Sequence, residues 1–215
     1  MPTFSQGQTM SITVETFVLG PLETNCYLLT SGKDAVVIDC GPEPLPLLRA
    51  INQRGLDVHG IYLTHMHFDH IGGVADLHRI TRANVYGNTK DLYLNDVTVN
   101  MGGSKEFREM VDFEVTDLQP GRTMILDSPV MVLGTPGHTP GSLSYFFPAI
   151  GSVFVGDLIF MISAGRTDFP GGDHDQLVSS ISDRIFILPD DTKIFSGHGP
   201  MTKVDHEKKY NPLFI

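Results

Sequence analysis

Four times along the chain, a short apolar run leads into side chains that can bind a metal. The first such segment, residues 64–73, follows the apolar run 61–63 and holds three histidines and one aspartate within six positions. Each of the three later segments places a glycine directly before a single metal-capable residue, and glycine there lets the backbone turn sharply and approach an ion. The seven residues are, in chain order, His65, His67, Asp69, His70, His138, Asp157 and His198.

The types of donor side chain limit which metal ions the site can bind. A mixture of imidazole and carboxylate favours divalent zinc, with iron or manganese as alternatives, over a thiolate-bound metal. Past a strand end, His65 and His67 can aim at one point, whereas Asp69 and His70 fall on the next turn. For a single histidine or aspartate here, an ordinary loop residue stays an open alternative. Together they predict two divalent metal ions, the first held by His65, His67 and His138, the second by Asp69, His70 and His198, with Asp157 bridging.

The amino-acid composition of the chain limits the kinds of partner that it can bind. The chain has 215 residues, of which 41% are hydrophobic, enough for a buried core. A net charge of −10 argues against nucleic acid, while a small anionic substrate stays compatible with bound cations. No secretion signal or apolar run of ~18 residues is visible, which predicts a cytoplasmic protein that does not enter a membrane. Cys26 and Cys40 lie in or beside apolar runs and are expected to be reduced core residues.

Apolar runs bounded by turn residues predict strands in both halves of the chain, with helices after them. The predicted strands cover residues 12–19, 26–30, 35–39, 60–63, 124–126, 130–133, 143–147, 153–156 and 192–196. The predicted helices cover residues 44–54, 73–82 and 174–186, with a weaker helical pattern over 90–97. This order predicts an α/β (α+β) domain over residues 1–215, in which two sheets pack face to face beneath outer helices as a four-layer αββα sandwich.

The pattern His65-x-His67-x-Asp69-His70, with the three later ligands, resembles the metallo-β-lactamase-fold hydrolase superfamily over nearly the whole chain. Residues 135–142, 165–169, 197–200 and 211–212 resemble, more narrowly, the short glyoxalase II-like (hydroxyacylglutathione hydrolase-like) proteins of bacteria. The resemblance implies an αββα fold of two mixed β-sheets flanked by helices and a dinuclear zinc-type site. It also implies hydrolysis of a glutathione thioester such as S-lactoylglutathione.

Other members of this superfamily are alternatives. Zinc β-lactamases place a cysteine at the position matching Asp157, which argues against lactam hydrolysis, and flavodiiron relatives carry glutamate in place of His67. A mononuclear iron persulfide dioxygenase shares the pattern of residues 165–169 and stays open, as does a non-catalytic metal-binding module. Only ~17 residues follow His198, too few for the helical C-terminal domain with which full-length glyoxalase II binds glutathione. The thiol carrier of the substrate therefore stays open.

The expected chemistry needs no serine or cysteine nucleophile. A metal-bound water has its pKa lowered from 15.7 to about 7, so a bridging hydroxide is available at neutral pH to attack the thioester carbonyl. Two of the ligands, Asp69 and Asp157, are assigned to this catalytic step: Asp69 orients the hydroxide and Asp157 bridges the two ions.

Three further residues are candidates for supporting roles. Arg166, close after Asp157 in the chain, is a candidate for binding a substrate carboxylate through two parallel hydrogen bonds, with an ion pair to a nearby aspartate as the alternative. Tyr145 is a candidate for facing the substrate pocket, with a core position as the alternative. Asp39 is the last residue of a predicted strand and is expected to hydrogen-bond a ligand histidine, with a turn aspartate as the alternative.

Overall fold

The first of two six-stranded sheets is built mainly from the N-terminal half of the chain. The computed structural model describes residues 11–95 and 113–215. The order across this sheet follows the order along the chain: Thr13–Leu19 (β1), Thr24–Ser31 (β2), Asp34–Ile38 (β3), Asp57–Tyr62 (β4), Asn84–Gly87 (β5) and Val115–Asp117 (β6). The pairs β1–β2 and β2–β3 are antiparallel, and the remaining pairs are parallel.

The second six-stranded sheet comes from the C-terminal half. Its strands are Gly121–Ile125 (β7), Ser128–Gly134 (β8), Leu143–Phe147 (β9), Ser152–Gly156 (β10), Lys193–Ser196 (β13) and Thr202–Lys203 (β14), in the order β14-β13-β10-β9-β8-β7. Only β10 and β13 pair in parallel. Between them along the chain, Ile159–Phe160 (β11) and Ser163–Ala164 (β12) form a small separate hairpin.

Helices cover the outer faces of both sheets. They are Leu45–Arg54, Phe68–Ile71, Val74–Thr81, His174–Ser180 and Val204–Tyr210, and the fourth continues as a π-helical turn over Ile181–Ile185. The weak helical pattern over 90–97 corresponds to a 3₁₀ helix over Thr89–Asn95, and residues 96 and 97 lie outside the described residues. Within residues 11–95 and 113–215, no helix reaches the length and apolar character that crossing a membrane requires.

Side-chain alternation explains the layers. Successive residues of a strand point to opposite faces, so Cys26 and Leu28 of β2 pack beneath the helices of the first half, whereas Tyr27 and Leu29 face the second sheet. In β10, Phe154 faces the first sheet, while its neighbours pack against the helices of the second half. The three core layers that result confirm the predicted αββα sandwich. Both cysteines are buried and free, as expected.

Candidate metal centre

The candidate site lies at the edge where the two sheets meet. The chain reaches this edge at the carboxyl ends of β3, β4, β10 and β13, which is where ligands bind in open sheets with parallel strands. Backbone hydrogen bonds join the sheets here: the Leu143 amide donates to the Thr64 carbonyl (2.8 Å), and the Asn25 amide donates to the Gly197 carbonyl (2.7 Å). The loops that carry the predicted ligands are therefore fixed to one another.

The short helix Phe68–Ile71 divides the first ligand segment. His65 and His67 lie in the extended stretch before the helix, and His67 occupies its N-cap position with a ψ of 147°. Asp69 and His70 lie on the helical turn itself. The local backbone thus directs the first two histidines and the next two ligands toward different points, which is the division that the spacing predicts.

Two groups of ligand atoms result. In each group, the nitrogen and oxygen atoms lie within 4.8 Å of one another, and every side chain is buried except the half-buried His198. The groups are His65, His67 and His138, and Asp69, His70 and His198.

Asp157 lies between the two groups. Its Oδ2 is 3.7 Å from His138 Nε2 and 3.5 Å from His198 Nε2, and its Oδ1 is 3.2 Å from His70 Nε2. Asp157 also belongs to a third close set with His65 and His70. One carboxylate thus contacts ligands of both groups, so the structure brings all seven predicted ligand residues together.

Three buried polar atoms in this cluster make no well-aligned hydrogen bond among the residues that the structure describes: His65 Nε2, His70 Nε2 and Asp157 Oδ1, the last two facing each other at 3.2 Å. Leaving a buried polar atom unpaired costs ~1–3 kcal/mol, so such atoms are uncommon without a reason. Three of them in one cluster of nitrogen and oxygen donors fit the coordination of a divalent cation. The residues present therefore fit the metal that the pattern predicts.

The electrostatics of the site also suit a cation. Burial lowers the pKa of His65 well below its usual value and takes that of His67 to about 3, which leaves both imidazoles in the neutral form that binds metals. For His198, burial acts to lower the pKa, but the carboxylates of Asp157 and Asp69 raise it to about 10. The aspartates thus draw positive charge into the second ligand group.

Asp39 supports the second ligand group from behind. Its Oδ2 lies 2.8 Å from His70 Nδ1 and accepts a 2.7 Å hydrogen bond from the Thr64 hydroxyl, while its Oδ1 accepts from the Thr64 amide (2.8 Å). The expected contact with a ligand histidine is present. A carboxylate on Nδ1 directs Nε2 of the same ring toward the metal position.

Replacing Asp39 by alanine is expected to lower metal affinity about 10–100-fold, because His70 loses the partner that fixes its tautomer and orientation. Competition titration of the metal-free protein with Zn²⁺ and a chromophoric chelator measures this. Asp191→Ala is the control, since Asp191 is an exposed aspartate of a turn and belongs to none of the close groups of metal-capable residues within residues 11–95 and 113–215. Equal affinities for both variants and the wild type would contradict the role of Asp39.

Two supports were not found from the sequence. The Thr24 hydroxyl donates to Asp69 Oδ2 (3.0 Å), and the Asn25 amide group donates to the carbonyls of Ser196 (3.0 Å) and Gly199 (2.8 Å). Asn25 thereby holds the loop of His198 against the first sheet. In the sequence, these supports correspond to two polar residues directly before an apolar run, a pattern that also occurs at many turns.

Gly197 has no room for a side chain. A Cβ atom at this position would lie 2.1 Å from Asp157 Oδ1 and 2.6 Å from His70 Cε1. The glycine before His198 therefore lets the backbone closely approach His70 of the second group and the Asp157 carboxylate between the groups.

Arg166 forms an ion pair in the structure. Its Nε and Nη2 each donate to Asp168 at 2.6 Å, and its guanidinium lies 3.9 Å above the ring of Phe169, which packs 5.6 Å from the His67 ring. The guanidinium is thus engaged in the ion pair that was the alternative, and binding of a substrate carboxylate by Arg166 stays a prediction. Its backbone carbonyl contacts the site instead, because His138 Nδ1 lies 2.7 Å from it and Nε2 is left for a metal.

The assignment of Tyr145 to the substrate pocket is corrected by its position. The side chain is fully buried between the two sheets, and its hydroxyl donates to the Leu63 carbonyl (2.5 Å). All five residues of its strand are buried, so the strand has no face open to a substrate. Tyr145 is a core residue that links the two sheets.

The comparison with protein families agrees with this arrangement. The family model described as "Metallo-beta-lactamase superfamily" matches residues 19–198, a range that contains every predicted ligand. The chain belongs to the metallo-β-lactamase superfamily. The predicted family is therefore confirmed, and membership of this superfamily supports a metal-dependent hydrolase.

Two curated relatives match most of the chain. A probable metallo-hydrolase, YqgX of Bacillus subtilis, is 35% identical over 199 residues, which are 91% of this chain and 94% of the relative. The hydroxyacylglutathione hydrolase GloC of Haemophilus influenzae is 32% identical over 206 residues, which are 93% of this chain and 97% of the relative.

Solved structures of superfamily proteins share the fold. A B3 metallo-β-lactamase, BLEG-1, is 36% identical with a TM-score of 0.85, and the match covers 94% of this chain and 99% of that one. TTHA1623 in a di-iron-bound form is 37% identical with a TM-score of 0.83, covering 93% and 100%. ETHE1 from Myxococcus xanthus is 28% identical with a TM-score of 0.74, covering 93% and 83%.

Proposed function

We propose that this protein is a dinuclear metal-dependent hydrolase that cleaves an acyl thioester, S-lactoylglutathione or a similar compound. The observation that carries the proposal is the position of Asp157 between two complete ligand groups, within 3.7 Å of ligand nitrogens in both. A carboxylate in that position can be shared by two cations, the arrangement of two-metal hydrolytic sites.

When bound, two divalent ions supply a water of lowered pKa and polarise the carbonyl of the substrate. The protein itself fixes the geometry around them. Asp69 accepts from Thr24 and lies 3.2 Å from His198 Nε2, so its carboxylate is held in place where a nucleophilic water would be oriented. Asp39 and the Arg166 carbonyl fix the rings of His70 and His138 from outside.

The substrate is proposed to be small. Phe169, which is 42% exposed, stands beside His67, and the Phe160 ring packs 6.0 Å from the His198 ring. These two rings place apolar surface beside the ligand histidines, which suits the acyl portion of a thioester. The relative GloC carries the name hydroxyacylglutathione hydrolase, which supports a glutathione thioester as the first compound to test.

The metal is proposed to be zinc, with iron and manganese as alternatives. The donor set of five histidines and two aspartates suits each of these ions. TTHA1623, which has a similar structure, is described in a di-iron-bound form. Location in the cytoplasm and a single domain over residues 1–215 stay predictions.

A substrate panel tests the proposal. Protein loaded with Zn²⁺, and separately with Fe²⁺, is assayed for thiol release from S-lactoylglutathione and acetyl-coenzyme A, for opening of a cephalosporin, and for oxygen uptake with glutathione persulfide. The expected result is thiol release without oxygen uptake. The lactam is included because BLEG-1 is described as a β-lactamase.

Each of the other possible results would assign the protein to a different functional class. Oxygen uptake would assign the chain to the persulfide dioxygenases, and opening of the cephalosporin alone would assign it to the β-lactamases. Two bound metal equivalents without turnover of any compound in the panel would leave a non-catalytic metal-binding module.

A further inference from the structure

Asp91 is a buried carboxylate outside the ligand groups. It lies in the 3₁₀ helix Thr89–Asn95 and is 1% exposed. The Thr139 hydroxyl donates to its Oδ2 (2.7 Å), the Gly141 amide donates to its Oδ1 (2.7 Å), and the Met66 backbone amide also donates to the carboxylate. Burial raises the pKa of Asp91 to about 6 while these donors act to lower it, so the carboxylate is ionised at neutral pH and accepts from all three.

The donors belong to two loops from different sheets. Met66 lies between His65 and His67, in the segment that follows β4 of the first sheet. Thr139 follows His138, in the connection between β8 and β9 of the second sheet. The two loops meet at the first ligand group, where His67 Nδ1 and His138 Nε2 are 2.8 Å apart.

The contact with Gly141 requires a residue without a side chain. A Cβ atom at this position would lie 2.5 Å from Asp91 Oδ1 and 3.0 Å from the Asp91 amide nitrogen. The backbone of the second loop therefore packs directly on the Asp91 carboxylate.

We propose that Asp91 is a positioning residue for the first metal. Its carboxylate binds the backbone beside His65 and His67 and the loop of His138, so the three imidazoles converge on one point. It acts through these loops, whereas Asp39 acts on His70 directly. The inference rests on the proposed two-metal site, but it is independent of the substrate.

Metal titration of the Asp91→Asn variant tests this role. The amide keeps the size of the side chain but turns an NH₂ group toward donors, so at least one of the three hydrogen bonds is lost. We expect one of the two Zn²⁺ equivalents to bind about 10–100-fold more weakly, while the other keeps its affinity. The absorption spectrum of Co²⁺ bound to the same variant is expected to differ from that of the wild type for the ion held by three histidine ligands.

Glu207→Gln is the matched control. Glu207 is a carboxylate of equal burial that accepts from Thr202, Asn211 and the Ile162 amide, none of which is adjacent to a ligand in the chain. Its substitution is expected to lower thermal stability and leave both Zn²⁺ affinities unchanged. If Asp91→Asn does not fold, Thr139→Val removes the hydrogen bonds of that hydroxyl to Asp91 and Ser142 while keeping the Asp91 carboxylate, and is expected to weaken the same equivalent.

The proposal is overturned if the Asp91 and Thr139 variants bind both Zn²⁺ equivalents as the wild type does, or if both equivalents weaken alike. Because Zn²⁺ binding to the metal-free protein is measured, this outcome is separate from failure of the thioester assay. Wild-type protein with two Zn²⁺ equivalents and no thioesterase activity would defeat the proposed substrate only.

Discussion

Asp157→Ala is expected to lose metal binding and hydrolysis together. The substitution removes the carboxylate that contacts ligands of both groups, so neither ion keeps its full set of donors. We expect turnover to fall by about 10³-fold or more, because the charge stabilisation that the metals provide amounts to several kcal/mol and ~1.4 kcal/mol corresponds to a factor of ten. Elemental analysis of the purified variant, together with the thioester assay, measures both losses.

The control for this experiment is Asp191→Ala, which removes an exposed aspartate from the turn before β13. It is expected to retain two metal equivalents and wild-type turnover. An Asp157→Ala protein that kept both would refute the bridging assignment. One that lost a single equivalent would show instead that Asp157 belongs to one metal alone.

Gly197→Ala is expected to inactivate the enzyme without removing any ligand. The added methyl group would collide with Asp157 Oδ1 at 2.1 Å and with His70 Cε1 at 2.6 Å, so at least one ligand must move. A displacement of ~1 Å at a catalytic centre can cost a factor of about 10² in rate, and we expect a loss of at least that size. Turnover at saturating metal and Zn²⁺ affinity are both measured.

Gly121→Ala provides the comparison for Gly197→Ala. A Cβ atom at Gly121 would meet nothing within 4 Å, so this variant carries the same chemical change without a collision. It is expected to match the wild type in rate and affinity. Wild-type behaviour of Gly197→Ala would mean that the loop of His198 shifts freely, and that the close approach is not needed for activity.

The ligands could be predicted because their signal is local. Each lies just past a strand, and a glycine directly precedes each ligand in the later segments, so neighbouring residues alone mark the position. The layer order was predictable for a similar reason, since the alternation of buried and exposed residues can be recognised within a single strand. The very short strands Asn84–Gly87 and Val115–Asp117 were missed, because three or four residues are too few to show the alternation of apolar and polar residues that indicates a strand.

The supporting contacts could not be predicted because they join distant parts of the chain. Thr24 meets Asp69 across 45 positions, and Asn25 meets the Ser196 carbonyl across 171. No pattern of neighbouring residues indicates which atoms from distant parts of the chain will lie close together. Tyr145 was misassigned for a related reason: every residue of its strand is buried, so alternation gives no indication of which face is open.

The division of the ligands between the two sheets links metal supply to folding. Four ligands follow β4 of the first sheet, and three follow strands of the second, so bound ions would cross-link the two halves of the chain at their common edge. A ligand that binds only the folded state stabilises it by ~2.7 kcal/mol when its free concentration is 100 times its dissociation constant. The level of available metal would then set how much of the protein is folded, in addition to how fast it works.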